Sequence, residues 1–241
     1  MSRGSINYLL YQVRDADDPM RTQEVATYIE ALNCDASRIK VHDLLSGGPE
    51  RQVLDQSDIV LIGGSGDYSA AGEGEWLERA MDSMRELYEL KKPTFASCWG
   101  FQALARALGG MTIEDLDRAE LGTSVVRLTE GGLADPVFSA AGSEFAVFQG
   151  HQDRVSGLPS GAIDLAKSEV SPFQAFTFSD RPIYATQFHP ELSRHRYLER
   201  VKHYPQYVER ITGQSYEEFE SAVGEARESR GLLERFVEYV S

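Results

Sequence analysis

Twice in its first hundred residues the chain drives a short apolar strand straight into a glycine-bearing bend. Asp58–Ile62 (DIVLI) ends in Gly63-Gly64-Ser65-Gly66, and Thr94–Ser97 ends in Cys98-Trp99-Gly100. Each run is followed by helical spacing, a pattern that constrains the fold more than any composition figure. Ile6–Val13 (INYLLYQV) is apolar enough for a strand buried on both faces. From Thr22 the segment TQEVATYIEALN places Val25, Ile29 and Leu32 on one helical face, with Thr22 as the expected N-cap. Arg38–His42 reads as another strand. Glu75–Leu90 reads as a helix carrying Trp76, Leu77, Met81, Met84 and Leu87, and Phe101–Leu108 as a helix stopped by Gly109-Gly110. Strands alternating with helices predict a mainly parallel sheet with helices on both faces, hence an α/β protein.

After Leu121 the pattern changes to short β-rich runs: Thr123–Leu128, Phe145–Phe148, Ala162–Ala166, Gln174–Phe178 and Ile183–Phe188. These predict an extension of the same sheet with some antiparallel pairs. From Ser193 the chain reads as helical, with Tyr197–Ile211 and Tyr216–Tyr239 amphipathic. The expected organisation is therefore a main domain over residues 1–192 and a helical extension over 193–241 packed on it. Surface helices usually bury a stripe on their own domain, so covering the sheet is favoured for this extension over a docking surface or lid.

Composition removes several classes. Twenty-four Lys and Arg against 38 Asp and Glu leave a formal charge of −14, which disfavours a general nucleic-acid binder. No apolar run approaches the roughly 20 residues of a membrane helix. The start, MSRGSINYLLYQV, runs into Asp15, Asp17 and Asp18 with no small-residue cleavage site, so no signal peptide is expected. Two cysteines, Cys34 and Cys98, without CxxC spacing suggest neither a disulfide framework nor a zinc site, and a reducing, cytoplasmic setting is expected.

Cys98 stands where strand turns into helix. A one-residue bend there lifts the side chain above the sheet, in the geometry of a nucleophile elbow, with Ser97 and Gly100 small enough to allow it. The helix N-terminus favours the thiolate, and the Trp99 backbone N–H could stabilise an oxyanion. A cysteine in that place could equally be a small buried apolar side chain. Gln187-Phe188-His189-Pro190-Glu191 ends an apolar strand. His189 is a suitable base near neutral pH, and Glu191, two residues on, shares its side of an extended chain and could fix its tautomer. Pro190 biases His189 toward extended backbone.

Ser97-Cys98-Trp99-Gly100-Phe101-Gln102 and Gln187-Phe188-His189-Pro190-Glu191, in that order and about ninety residues apart, resemble the class I (triad) glutamine amidotransferases, in particular the GMP-synthase-like amidotransferase domains. The resemblance covers roughly Ile6–Glu191. It implies a flavodoxin-like α/β fold and a glutaminase reaction with Cys98 as nucleophile, His189 as general base and acid, and Glu191 as orienting acid. It also implies a second oxyanion donor in the Gly64–Ser65 turn, a substrate contact at Gln102, and binding of the glutamine head group by His151 and Asp153 of Gly150-His151-Gln152-Asp153. The last could also be a plain polar turn. Ala96 stands where the family usually has glycine, and Ser65 where its oxyanion turn often has proline. Such chemistry needs no metal or organic cofactor. The expected partners are glutamine or a γ-glutamyl compound and a separate synthetase subunit that uses the ammonia, with no nucleic acid or membrane. Two other functions remain open: hydrolysis of γ-glutamyl peptides or amides by the same triad, and a non-catalytic regulatory or binding module of this fold.

Overall fold

The computed structural model describes residues 5–241. The first four residues of the opening stretch, and with them the start of the expected 1–192 domain, lie outside the described ones. Nine strands form one sheet in the order β2-β1-β3-β4-β11-β10-β9-β6-β7. Its parallel part comprises β1 (Tyr8–Gln12), β2 (Ile39–Asp43), β3 (Ile59–Ile62), β4 (Thr94–Ser97) and β11 (Arg181–Thr186). The antiparallel part continues through β10 (Ala175–Phe178), β9 (Ala162–Lys167), β6 (Glu120–Leu128) and β7 (Glu144–His151). The sheet is thus extended as the β-rich second half predicts, and the 2-1-3-4 order is that of a flavodoxin-like fold. A separate two-stranded ladder of β5 (Met111–Glu114) and β8 (Asp153–Gly157) is an addition that the sequence pattern did not predict.

Because side chains alternate along a strand, each strand feeds two cores. Leu9, Tyr11, Val60, Ile62 and Ala96 face α3 (Glu75–Glu89) and α4 (Trp99–Ala107), where Leu77, Met81, Met84, Leu87, Phe101 and Leu104 are buried. Tyr8, Leu10, Ile59, Leu61, Phe95 and Tyr184 face the other way, toward Tyr28 of α1 (Met20–Leu32) and Leu232, Leu233, Phe236 and Val237 of α9 (Arg227–Val240). A short α2 (Arg51–Asp55) precedes β3, and α5 (Glu130–Ala134) lies beside β9.

Several helix boundaries differ from expectation, among them that of α4, which begins at Trp99 and not at Phe101. The first helix begins at Met20, not Thr22. Pro19 supplies a fixed helical φ of −63° and Asp18 Oδ1 accepts from the Met20 N–H at 2.8 Å, which leaves Thr22 inside the first turn. The amphipathic stretch 197–211 is two helices, α6 (Arg194–His203) and α7 (Pro205–Thr212), because Pro205 disfavours helical backbone at Tyr204. The stretch 216–239 is likewise divided into α8 (Tyr216–Ala222) and α9. Helices α6 to α8 share a third core of Phe148, Leu192, Tyr197, Val201, Val208 and Phe219.

Candidate active site

The carboxyl ends of β1, β3, β4 and β11 open onto one cavity of about 320 Å³, the position where ligands bind in open α/β sheets. Cys98 joins β4 to α4 with φ +53° and ψ −105°, a region that non-glycine residues seldom occupy and that persists only where surrounding structure enforces it. The enforcement is visible. The Cys98 N–H donates to Thr186 O at 2.8 Å, and the Gly100 N–H to Gly63 O at 3.2 Å, so the bend is tied to the strands on either side. Gly100 does not have positive φ. It is glycine because a Cβ there would stand 2.7 Å from Ile62 Cγ2 and 3.0 Å from Ile62 O. The small residue therefore permits close helix–strand approach, where the sequence suggested freedom to turn.

His189 follows β11 and is 4% exposed. Its N–H donates to Phe148 O at 3.0 Å, and its Nδ1 lies 2.7 Å from Glu191 Oε1. Burial opposes a charged ring, but the Glu191 carboxylate, Cys98 and hydrogen bonds to both outweigh it, and the pKa is raised to about 9. With Nδ1 turned to Glu191, Nε2 is the ring nitrogen left for the thiol side. Glu191 is 1% exposed. Burial pushes its pKa up, yet His189 and Arg200 bring it below the ordinary value. Arg200 Nη1 is 3.6 Å from Glu191 Oε1, and its Nε and Nη2 donate to Gln23 Oε1 at 3.2 and 3.0 Å.

Gly63–Gly66 lies beside this pair. A Cβ on Gly64 would come within 3.3 Å of His189 Cε1 and 4.0 Å of Cys98 Cβ, so glycine makes room for the imidazole itself. Ser65 Oγ donates back to Tyr68 O at 2.5 Å and braces the turn. Trp99 is buried and stacks on Trp76 at 6.1 Å.

Gln102, His151 and Asp153 all line the cavity, and each also has protein partners. Gln102 Nε2 donates to Asp153 O at 2.7 Å and Gln187 Oε1 at 3.2 Å, joining α4 to the Gln187–Glu191 segment. His151 Nδ1 lies 2.9 Å from Asp153 O and Nε2 3.3 Å from Glu120 Oε2. Asp153 Oδ2 accepts from Ser69 Oγ at 2.6 Å and from the N–H groups of Ala70 and Ala71 at 3.0 and 3.2 Å. Cys34 is half-buried against the α1–α9 core, away from these groups.

Several lining residues escaped sequence reasoning: Arg14 after β1, and Arg200, Tyr204, Tyr207 and Arg210 from α6–α7. Arg14, at the end of an apolar strand, carried a weak signal. The others sit among many surface-like charges. The α6–α7 segment forms a wall of the cavity, whereas α9 covers the sheet. Among the described residues, no group of three or more His, Cys, Asp or Glu is placed to hold a metal ion, and no helix is long and apolar enough to cross a membrane.

Fold and site together define an α/β protein in which a conformationally strained cysteine on a strand–helix bend shares a crevice with a buried histidine–carboxylate pair. The model of the class-I glutamine amidotransferase family matches residues 16–201, more than half of the chain, and the chain belongs to that family. Among curated relatives, the glutamine-hydrolyzing GMP synthase of Thermosipho africanus is 30% identical over 187 residues, covering 75% of this chain and 31% of that one. The corresponding protein of Shewanella pealeana is 27% identical over 186 residues, covering 75% and 32%. This chain matches these relatives over about a third of their length. A glutamine amidotransferase structure from Thermotoga maritima has a TM-score of 0.76 at 22% identity, covering 98% of this chain and 97% of that one. One from Methylobacillus flagellatus has a TM-score of 0.70 at 17% identity, covering 98% and 95%. At such identities the likeness is one of fold.

Proposed function

We propose that this chain hydrolyses the γ-carboxamide of glutamine through a γ-glutamyl thioester on Cys98 and releases ammonia. The observation that carries this function is the strained Cys98 beside a buried His189 whose Nδ1 is engaged by Glu191 at 2.7 Å. In the first half, the Cys98 thiolate attacks the γ-carbonyl carbon, and the C=O electron pair moves onto oxygen. Backbone N–H groups of Trp99 and of the Gly64–Ser65 turn hold that oxyanion. As the C–N bond breaks, imidazolium His189 gives its Nε2 proton to the leaving nitrogen. The raised pKa keeps the ring protonated at neutral pH, ready as the acid of this step. In the second half, neutral His189 takes a proton from water as its oxygen attacks the thioester carbon. The C–S bond breaks, glutamate leaves, and thiolate and imidazolium are restored.

Glu191 fixes the tautomer and stabilises the imidazolium, and Arg200 helps to hold Glu191 ionised. Gln102, His151 and Asp153 shape the wall that receives the amino-acid end of the substrate. The ammonia serves a synthetase, in keeping with the glutamine-hydrolyzing GMP synthases that this chain matches over about a third of their length. A second function, hydrolysis of larger γ-glutamyl amides, is favoured by one observation. Leu121, Leu192, Val201 and Ile211 give the cavity an apolar side that an ammonia leaving group does not need.

The test is ammonia and glutamate release from a panel of glutamine and γ-glutamyl compounds by wild type and Cys98→Ala, with and without candidate synthetases. Turnover lost in the variant supports the assignment. Undiminished turnover in Cys98→Ala, or labelling by a glutamine-like electrophile at Cys34 alone, overturns it.

A further inference from the structure

Apart from the bond from Ser65 Oγ to Tyr68 O, the Gly63–Gly66 turn has no side chain with which to brace itself, and it is packed from two sides. Behind it lies Glu24, fully buried, whose carboxylate occupies the space a Cβ on Gly63 would need. Glu24 Oε2 accepts from Gln12 Nε2 at 3.0 Å and from Arg14 Nε at 3.4 Å. Arg14, 2% exposed, extends along the turn. Its Nη2 is 3.9 Å from the position of a Gly64 Cβ, and its Nη1 3.3 Å from that of a Gly66 Cβ.

In front stands Tyr204, at the break between α6 and α7. Its hydroxyl accepts from Arg14 Nη1 at 3.0 Å, donates to Asp18 Oδ2 at 2.9 Å, and lies 3.0 Å from the Gly66 Cβ position. Burial raises the phenol pKa and keeps it neutral, so it can accept one bond and donate the other. A second phenol, Tyr207, donates to Asp67 Oδ1 at 2.6 Å one residue beyond the turn.

We propose that Tyr204 is a positioning residue: by fixing Arg14 and the Gly63–Gly66 turn, it aims the Gly64–Ser65 backbone at the oxyanion and makes the α6–α7 segment part of the reacting assembly. The inference rests on the hydrolytic function above. Glycines lose the most backbone freedom on ordering, and oxyanion donors act only if they are aimed before charge develops. A displacement of about 1 Å is enough to cost about 100-fold in rate.

The experiment uses the full chain with Tyr204→Phe, and Asp18→Asn as the second variant if the first fails to fold. Three quantities are measured: hydrogen exchange of peptides spanning residues 63–70, kcat and KM for glutamine, and the rate of Cys98 alkylation by iodoacetamide, which displaces iodide without forming an oxyanion. The expected result is faster exchange confined to 63–70. With it, kcat and kcat/KM fall together by about tenfold at unchanged KM, and alkylation stays near wild type. Wild-type exchange in the variant overturns the proposal. So does an alkylation rate that falls with kcat, which would place the effect at the thiol, or a rise in KM at constant kcat. Wild type that turns over neither glutamine nor any γ-glutamyl compound, with or without candidate synthetases, fails the hydrolytic function instead, and the exchange result alone then decides whether Tyr204 holds the turn.

Discussion

Replacing Gly100 by alanine tests the mechanical origin of the Cys98 bend. The added methyl would stand 2.7 Å from Cγ2, 2.9 Å from Cβ and 3.0 Å from the carbonyl oxygen of Ile62. Carbon atoms pack favourably at about 3.5–4.0 Å, so helix and strand must part by about 1 Å. Ile62 has no room to yield. It is fully buried, paired with Tyr11 on one side and Ala96 on the other, and the third contact is backbone. Because Gly100 lacks positive φ, the penalty is one of overpacking, about 1–3 kcal/mol, and three close contacts put it at the upper end. For a chain of this size that corresponds to a fall in Tm of roughly 5–10 °C. The hydrogen bond from Gly100 N–H to Gly63 O at 3.2 Å is strained by the same movement, and Trp99 shifts with it. Glutamine turnover should drop by about 100-fold. Thermal unfolding and ammonia release measure both, with Gly224→Ala as control, since its methyl meets nothing nearer than Thr123 Cγ2 at 3.8 Å. Ile62→Ala combined with Gly100→Ala removes Cγ2 but leaves the contacts with Cβ and the carbonyl oxygen, so the double variant is less destabilised than the two singles combined and does not regain full activity. Wild-type Tm and turnover in Gly100→Ala would refute the close-packing account.

Two further outcomes can be checked directly. His189 has a folded pKa of about 9, above its ordinary 6.5, so its stabilisation is complete below pH 6.5 and is lost as pH rises through 9. Glu191→Gln removes the main attraction, so the Tm gap between wild type and variant should narrow across that window, and a gap constant with pH would contradict the pairing. Phe236→Ala empties a fully buried site edge-to-face with Phe95 at 5.3 Å and Tyr184 at 5.5 Å, and should cost about 3–5 kcal/mol by denaturant unfolding. A change below about 1 kcal/mol would mean that α9 leaves the sheet readily.

The parts of the candidate site legible in the sequence are those built from neighbours in the chain. Ser97-Cys98-Trp99-Gly100 encodes a strand, a bend and a helix within a few residues, and His189-Pro190-Glu191 encodes its own pairing. The helix break at Tyr204 was also locally written, in Pro205, but the amphipathic spacing on either side runs smoothly across it. Arg14 and Tyr204 meet across 190 positions, and Glu191 meets Arg200 only because α6 folds back over the strand ends. No periodicity in one sequence announces such contacts. The β5–β8 ladder was hidden for a similar reason, since Met111–Glu114 is half-exposed and has no strong alternation.

The order of strands also sets an order of events as the chain is made. β4 gains its neighbour β3 early, but its other edge waits for β11, about ninety residues later. The apolar face bearing Phe95 waits longer still, for α9. While synthesis proceeds, an unpaired strand and an open hydrophobic face travel at the centre of a half-built sheet, the condition under which nascent chains are most prone to associate. Folding is then slow by topology, since its decisive contacts join distant parts of the sequence. Until α9 docks, that face has to be shielded from other chains.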